Sequence, residues 1–397
     1  MSNPEDPIVI TGGARTPMGS FQGVLKDVAA PQLGGTAIRA AMEQSAVAPD
    51  EVDEVLMGCV LPAGIGQAPA RQAAFAAGLP IGAPCTTVNK MCGSGMKTVM
   101  QTFDAIKAGT NAIAVAGGME SMTNAPYLLP KARGGMRLGH GQVMDHMFLD
   151  GLEDAYEPGK LMGVYAEETA QKYQFTREVM DDFAIESLRR AKQANEDGSF
   201  DAETVPVTFS TRRGEQVIER DEQPFTARPE KIPHLRPAFK KDGSVTAANS
   251  SSISDGAAAV IMMRQSLAEQ RGAPVRLRIL AHASHAQEPA WFTTAPIDAM
   301  RKVMEKVGWS ASDVDLFEIN EAFAVVSLAA MRDLDIPHDK TNVHGGACAL
   351  GHPVGASGTR IIVTLMNALE KYDLKRGVAS LCIGGGEATA VAVERVS

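Results

Sequence analysis

Residues 37–58 read AIRAAMEQSAVAPDEVDEVLMG, and residues 299–320 read AMRKVMEKVGWSASDVDLFEIN. The two stretches align without a gap, with identities at Ala37/Ala299, Arg39/Arg301, Met42/Met304, Glu43/Glu305, Val52/Val314 and Asp53/Asp315. Each has the pattern of an amphipathic helix, a polar turn and the opening of a strand. Carried forward, nearly the same offset pairs Ser94-Gly95 with Ser357-Gly358, and each pair opens an apolar-periodic helix. Both helices lead to strands that end in glycines, AIAVAGG at 112–118 and VASLCIGGG at 378–386. The chain therefore reads as an internal duplication, and the fold it predicts is a layered α/β architecture with pseudo-twofold symmetry.

The interval between the halves has a different character. It is rich in Pro, Gly and charge (LLPKARGGMRLGHG, RPEKIPHLRPAFKKDG), with one clear helix predicted over about 176–196. It reads as an inserted loop domain, a common form for binding surfaces. TAANSSSISDGAAAVIMM (246–263) then returns the chain to the first half as a buried strand. The predicted division is 1–121 plus 252–274 for the first half, 122–251 for the insert and 275–397 for the second half.

Composition bounds the function. The chain of 397 residues is 45% hydrophobic with a net charge of −9, which fits a globular protein and argues against nucleic acid or anionic membrane as partner. No apolar run reaches membrane-span length. The acidic start MSNPEDPIVI resembles no leader, and the end RVS resembles no address signal. Cys59, Cys85, Cys92, Cys348 and Cys382 are widely spaced, with no CxxC or zinc pattern. Reduced thiols in the cytoplasm are the expectation.

Four residues carry chemistry. Cys92, in NKMCGSGMK (89–97), sits where a helix is about to begin, near unpaired amides and the positive end of its dipole. The dipole alone shifts a thiol by under about one pKa unit, so a nucleophile there needs a base. The second half supplies one at the mirrored place: His352, in NVHGGACALGHPVGASG (342–358). Cys382 ends a strand beside Gly384-Gly385-Gly386, whose amides suit an oxyanion hole, and its thiol is expected to reach the cleft. Asn320, in FEINEAF, lies at the end of the duplicated strand, where its amide can orient water or a carbonyl. Together they describe acyl transfer through a thioester, with Cys382 as a separate acid/base.

These same motifs, NKMCGSGMK, GGMESM, NEAF, GGxxALGHPxGASG and CIGGG, in this order over nearly the whole chain, resemble the thiolases, most closely their tetrameric acetyl-CoA C-acetyltransferase branch. The resemblance implies a duplicated five-layered αβαβα core and a ping-pong Claisen condensation of two acetyl-CoA to acetoacetyl-CoA and CoA, with thiolysis as its reverse. It assigns Cys92 as the acetylated nucleophile, His352 as its base and Cys382 as the base for the α-proton. One oxyanion hole would be His352 with a water on Asn320, the other the amides of Cys92 and Gly384. Matching positions imply that Ser251 contacts pantetheine and that Leu152, Met162, Phe239, Ala247, Ala322 and Phe323 line its tunnel. CoA thioesters are then substrates, and neither an organic cofactor nor a metal is implied. GGMESMTNAPYLLPKARGGMRLGHG resembles the loop that builds a homotetramer, a dimer of dimers.

Departures from the pattern are informative. Leu161 stands where a His is common before Met162-Gly163, and Phe225 where an arginine faces the CoA phosphates, leaving Arg228 as the substitute. Phe292 replaces a methionine at the acyl end, and its bulk implies short chains. His344 replaces an Asn, and Glu387 follows the glycines where a neutral residue is usual. The rival within the family is a broad-range 3-ketoacyl-CoA thiolase of fatty-acid β-oxidation. A decarboxylating ketoacyl synthase would lack the second cysteine, and a non-catalytic acyl-CoA binder would not keep all four chemical residues. A metal reading rests on His282 and His285 alone, expected as partly exposed loop residues, and neither a P-loop nor GxGxxG is present.

Overall fold

The computed structural model describes residues 6–212 and 214–396; the readings placed on residues 1–5 and on Ser397 lie outside it. In the first half, β1 (Ile8–Arg15), α1 (Ala30–Ser45), β2 (Glu54–Gly58), α2 (Pro69–Ala76), β3 (Cys85–Val88), α3 (Ser94–Ala108) and β4 (Ile113–Ser121) follow one another. The intervening segment carries α4 (Met162–Tyr173) and α5 (Arg177–Glu196). Then come β5 (Ser254–Arg264), β6 (Leu277–Ala286), α6 (Ala295–Val307), β7 (Leu316–Ile319), α7 (Ala324–Leu334), α8 (Ser357–Lys371), β8 (Arg376–Ile383) and β9 (Glu387–Arg395).

The strands run in the order β7-β8-β9-β6-β1-β5-β4-β2-β3. This order is symmetric about its centre: β1, β5, β4 and β2 have β6, β9, β8 and β7 as counterparts. The two halves meet where β1 pairs antiparallel with β6, from Ile8 opposite Ile279 to Ile10 opposite Leu277. The strands of both halves thus form one continuous sheet, wrapped around a central layer. That layer is α3 and α8, packed with inward residues of both halves such as Ile10, Val260, Leu381 and Val391. Outside, α1 and α2 cover Val9, Met57, Val115 and Ile261, while α6 and α7 cover Phe317, Val378 and Ala390. The result is the expected five layers, and strands covered on both faces account for the near-continuous apolar runs.

Five of the six repeated identities have a physical reason. Ala37/Ala299, Met42/Met304 and Val52/Val314 are buried pairs. Arg39 donates to the carbonyl of Ala76 at the end of α2, and Arg301 donates to that of Asp333 near the end of α7 (3.1 Å). Asp53 accepts the amides of Ala112 and Ile113 (2.7 and 2.9 Å), which open β4. Asp315 accepts those of Lys375 and Arg376 (2.9 and 2.8 Å), which open β8. Glu43 and Glu305 are exposed at matching places, and nothing in the structure explains their identity.

The sequence reading needs correction at three places. The insert holds α4 as well as the expected α5; its apolar stripe is short, but Tyr165, Ala166 and Ala170 are buried against the second half. His282 and His285 lie on β6, not on a loop, where they meet Asp104 (3.0 Å) and Asp298 (3.5 Å). A hairpin, Val207–Thr211 with Gly214–Ile218, extends from the insert. No helix among the described residues is long and apolar enough to cross a membrane.

The paired carboxylates yield a symmetric expectation. Asp53→Ala and Asp315→Ala each strip two strand-opening amides of a charged acceptor, and both carboxylates are partly open to solvent. Each substitution should cost about 1–2 kcal/mol, read as a lower urea midpoint at unchanged slope, with the two losses similar in size.

Candidate functional site

The site forms where the loops entering α3 and α8 meet the carboxyl ends of the second half's parallel strands, the usual crevice of such sheets. Cys92 lies on the β3–α3 turn, two residues before α3 begins. The turn is closed by the amide of Gly93 donating to Lys90 O (3.0 Å) and that of Ser94 to Met91 O (3.0 Å), with Met91 in the left-handed region at φ 48°. His352 precedes α8, Asn320 follows β7, and Cys382 is the penultimate residue of β8.

A cavity of about 620 Å³ opens over these elements. Of the expected residues, Cys92, His352, Gly384, Ser251, Leu152, Met162, Phe239, Ala247, Ala322, Phe323 and Phe292 line it. Three do not. Cys382 is fully buried, contrary to the expected exposure, because β8 is covered on both faces, and it lies next to the Cys92 sulfur. Asn320 is buried beside His352, its Nδ2 3.5 Å from the ring's Nδ1. Arg228 lines a separate hollow of about 320 Å³, with Lys231 and Cys348, that shares only Ala247 with the main cavity. The Arg220 guanidinium lies 4.5 Å above the Phe225 ring. At the apolar end, Phe292 is buried edge-on to Phe323 (6.5 Å) and Tyr165 (6.4 Å).

The orientation of the imidazole follows from one hydroxyl. Ser357 Oγ donates to Pro353 O (3.0 Å) and lies 2.6 Å from His352 Nδ1. With its hydrogen committed to the carbonyl, the serine can only accept, so Nδ1 carries the proton and Nε2 keeps its lone pair. Nε2 has no partner among the described residues. Burial, reinforced by the Arg360 charge, holds His352 down to about 3, so the ring is neutral at ordinary pH.

The thiols are also held neutral. Burial pushes Cys92 up to about 11, against the pull of the Gly384 amide and its own amide. Burial, then the neighbouring Cys92 sulfur, raises Cys382 well above the usual thiol range. A neutral thiol beside a neutral base differs from the preformed thiolate that a Cys–His pair implies from sequence. Here the proton must leave sulfur as the bond to carbon forms.

Two carboxylates that motif reading passed over fix the His352 loop. Glu120, inside GGMESM, accepts the amides of Val60 (2.9 Å), Leu61 (3.1 Å) and Gly355 (2.9 Å); burial raises it to about 7. Glu321, inside NEAF, accepts Ser187 Oγ (2.7 Å), Asn342 Nδ2 (2.8 Å) and the Cys348 amide (3.0 Å), and burial raises it too. The available signal was an acid set among apolar strand residues, which must find donors.

Comparison with known proteins agrees with this geometry. Residues 8–266 match the model of the thiolase N-terminal domain, and residues 273–395 that of the thiolase C-terminal domain. The chain belongs to the thiolase family. Similar to this thiolase are an acetyl-CoA acetyltransferase of Pseudomonas aeruginosa, 47% identical over 98% of the chain and 99% of the relative, and acetyl-CoA acetyltransferase 2 of Arabidopsis thaliana, 49% identical over 99% and 98%. The crystal structure of the Bacillus anthracis acetyl-CoA acetyltransferase superposes with a TM-score of 0.96 at 40% identity, covering all of both chains. That of a thiolase from Ascaris suum in complex with coenzyme A superposes at 0.92, also 40% identical, over 98% of this chain and 100% of that one.

The pKa directions set the pH behaviour of the nucleophile. Because only the thiolate is alkylated and Cys92 titrates near 11, iodoacetamide should react about tenfold faster per pH unit from pH 7 to 10. An ordinary thiol would level off near pH 8.5 to 9; peptide mapping of the free enzyme after timed labelling reads the difference.

Proposed function

We propose that this chain is an acetyl-CoA C-acetyltransferase: it joins two acetyl-CoA into acetoacetyl-CoA and CoA, and it runs the reverse thiolysis. The observation that carries the reading is the cavity that presents the Cys92 thiol together with the free Nε2 of His352, with Cys382 adjacent to the sulfur. The names and full-length identity of the relatives support the same activity.

In the first half-reaction, His352 Nε2 takes the Cys92 proton as sulfur attacks the thioester carbonyl, and the amides of Cys92 and Gly384 receive the developing oxyanion. Collapse breaks the carbon–sulfur bond to CoA, and Cys382 protonates the leaving thiolate. Cys382 is neutral until it has given up that proton, and its high pKa makes the resulting thiolate a strong base. In the second half-reaction the Cys382 thiolate takes the α-proton of a second acetyl-CoA, and the enolate attacks acetyl-Cys92. The departing Cys92 sulfur recovers its proton from His352, so both groups end as they began. His352 with a water on Asn320 serves the second thioester oxygen. No metal or organic cofactor enters the balance; CoA thioesters are the substrates.

Leu152, Met162, Phe239, Ala247, Ala322 and Phe323 form the pantetheine wall, with Ser251 its polar contact. Arg228, with Lys231 beside it, reaches the CoA phosphates from the adjoining hollow. A cytoplasmic setting fits the five free cysteines. A homotetramer fits the exposed apolar side chains of the 122–143 segment, where Leu138 is 98% exposed and Tyr127 68%.

The test compares thiolysis of acetoacetyl-CoA with that of a medium-chain 3-ketoacyl-CoA on one preparation. A strong preference for acetoacetyl-CoA is expected. Comparable rates on the longer substrate would instead assign the chain to the β-oxidation thiolases, and no rate on either would remove the catalytic roles. Phe292→Met should narrow that preference by about threefold to tenfold, since removing bulk from an apolar pocket is worth about 1 kcal/mol. Incubation with acetyl-CoA should add one acetyl group to the peptide holding Cys92, read by mass, and Cys92→Ala should abolish it.

A further inference from the structure

Lys90 and Glu387 form an ion pair between Nζ and Oε2, their side chains 23% and 37% exposed. They belong to the two loops that carry opposite parts of the site. Lys90 opens the turn that presents Cys92; its amide donates to Ser94 Oγ (2.8 Å) and its carbonyl accepts from Gly93 (3.0 Å). Glu387 is the first residue after the triple glycine, opposite Ile383 in the β8–β9 register. The loops touch once more: Ile383 fills the space over Gly93, where a Cβ would lie 2.4 Å from its Cδ1. Between these two contacts Gly384 lines the cavity together with Cys92, and its amide lowers the Cys92 thiol pKa against the effect of burial.

Both loops need holding. Gly384, Gly385 and Gly386 have the widest conformational freedom of any residues, the last two at φ 89°. On the other side, Met91 keeps a left-handed conformation that persists only where its surroundings over-determine it. We propose that the Lys90–Glu387 ion pair is a positioning clamp that holds the Gly384 amide in its place on the cavity wall beside Cys92. Neither residue touches the cavity; they act through the loops. The proposal deepens the acetyltransferase reading and rests on it for its kinetic arm.

The full-length chain is compared with Glu387→Gln, Lys90→Met, the double neutral variant and the swap Lys90→Glu/Glu387→Lys. Losing an oxyanion donor outright costs about 100- to 1,000-fold, so loosening one should lower kcat by about tenfold in either single variant, with KM within about twofold. Iodoacetamide labelling of Cys92 at pH 8 should slow by about threefold or more, because a thiolate that loses an amide donor is less populated. The double variant should be no slower than the singles, and the swap should recover kcat to within about threefold of wild type. Unchanged kcat and labelling in the single variants, additive losses, or a swap that recovers the melting temperature without kcat would overturn the clamp. Wild-type protein inactive on acetoacetyl-CoA would remove the acetyltransferase reading, while the labelling rates would still decide the clamp.

Discussion

The structure depends on how closely two helix starts approach each other. A Cβ at Gly358 would lie 2.2 Å from the amide nitrogen of Met96, and one at Gly95 would lie 2.9 Å from that of Thr359. No side chain fits between backbones at those distances, so α3 and α8 meet through glycine on both sides of the pseudo-twofold axis. This contact sets the spacing of the two halves. It also places the residues just upstream of each helix, Cys92 in one half and His352 in the other, around a single cavity. The thiol and the imidazole share one cavity because the helices behind them are neighbours.

Duplication built the scaffold, and divergence built the site. The twin clamps of Asp53 and Asp315 and the twin arginine ties keep both halves in the same shape. At the site the counterparts differ. Gly58 ends β2 where Asn320 follows β7, and Met119 packs in the first half's core at the place where Cys382 sits in the second. The symmetric cleft thereby holds one thiol and one imidazole at its wall and one further, buried thiol. Glu120 and Glu321 then fix the imidazole loop from either side, each satisfying several buried amides at once.

Much of this was readable before any coordinates. The repeat signals the layers because its identical positions are the ones that packing and strand initiation constrain. Eleven of the expected site residues line one cavity, since their motifs encode turns that can be made in few ways. Other features were hidden for physical reasons. Whether a strand-end thiol such as Cys382 faces the cleft or the layer behind it turns on a half-period of register, which composition does not report. The tautomer of His352 depends on a hydroxyl whose hydrogen is claimed by Pro353, a bond set by the local turn. The protonation of Cys92 depends on how dry the pocket is, a property of the whole wall.

The seam between the halves bears on how the chain is made. β1, the first strand among the described residues, has both its neighbours, β5 and β6, at residues 254–264 and 277–286. Until the entire insert has been synthesised, β1 has two open edges, although α1 and α3 are already available to its faces. Such a long wait for non-local partners slows folding and exposes sticky surface in the meantime. The first half, although first in sequence, therefore cannot close first on its own. Its completion and its joining to the second half fall within one short stretch of synthesis, as residues 254–286 emerge.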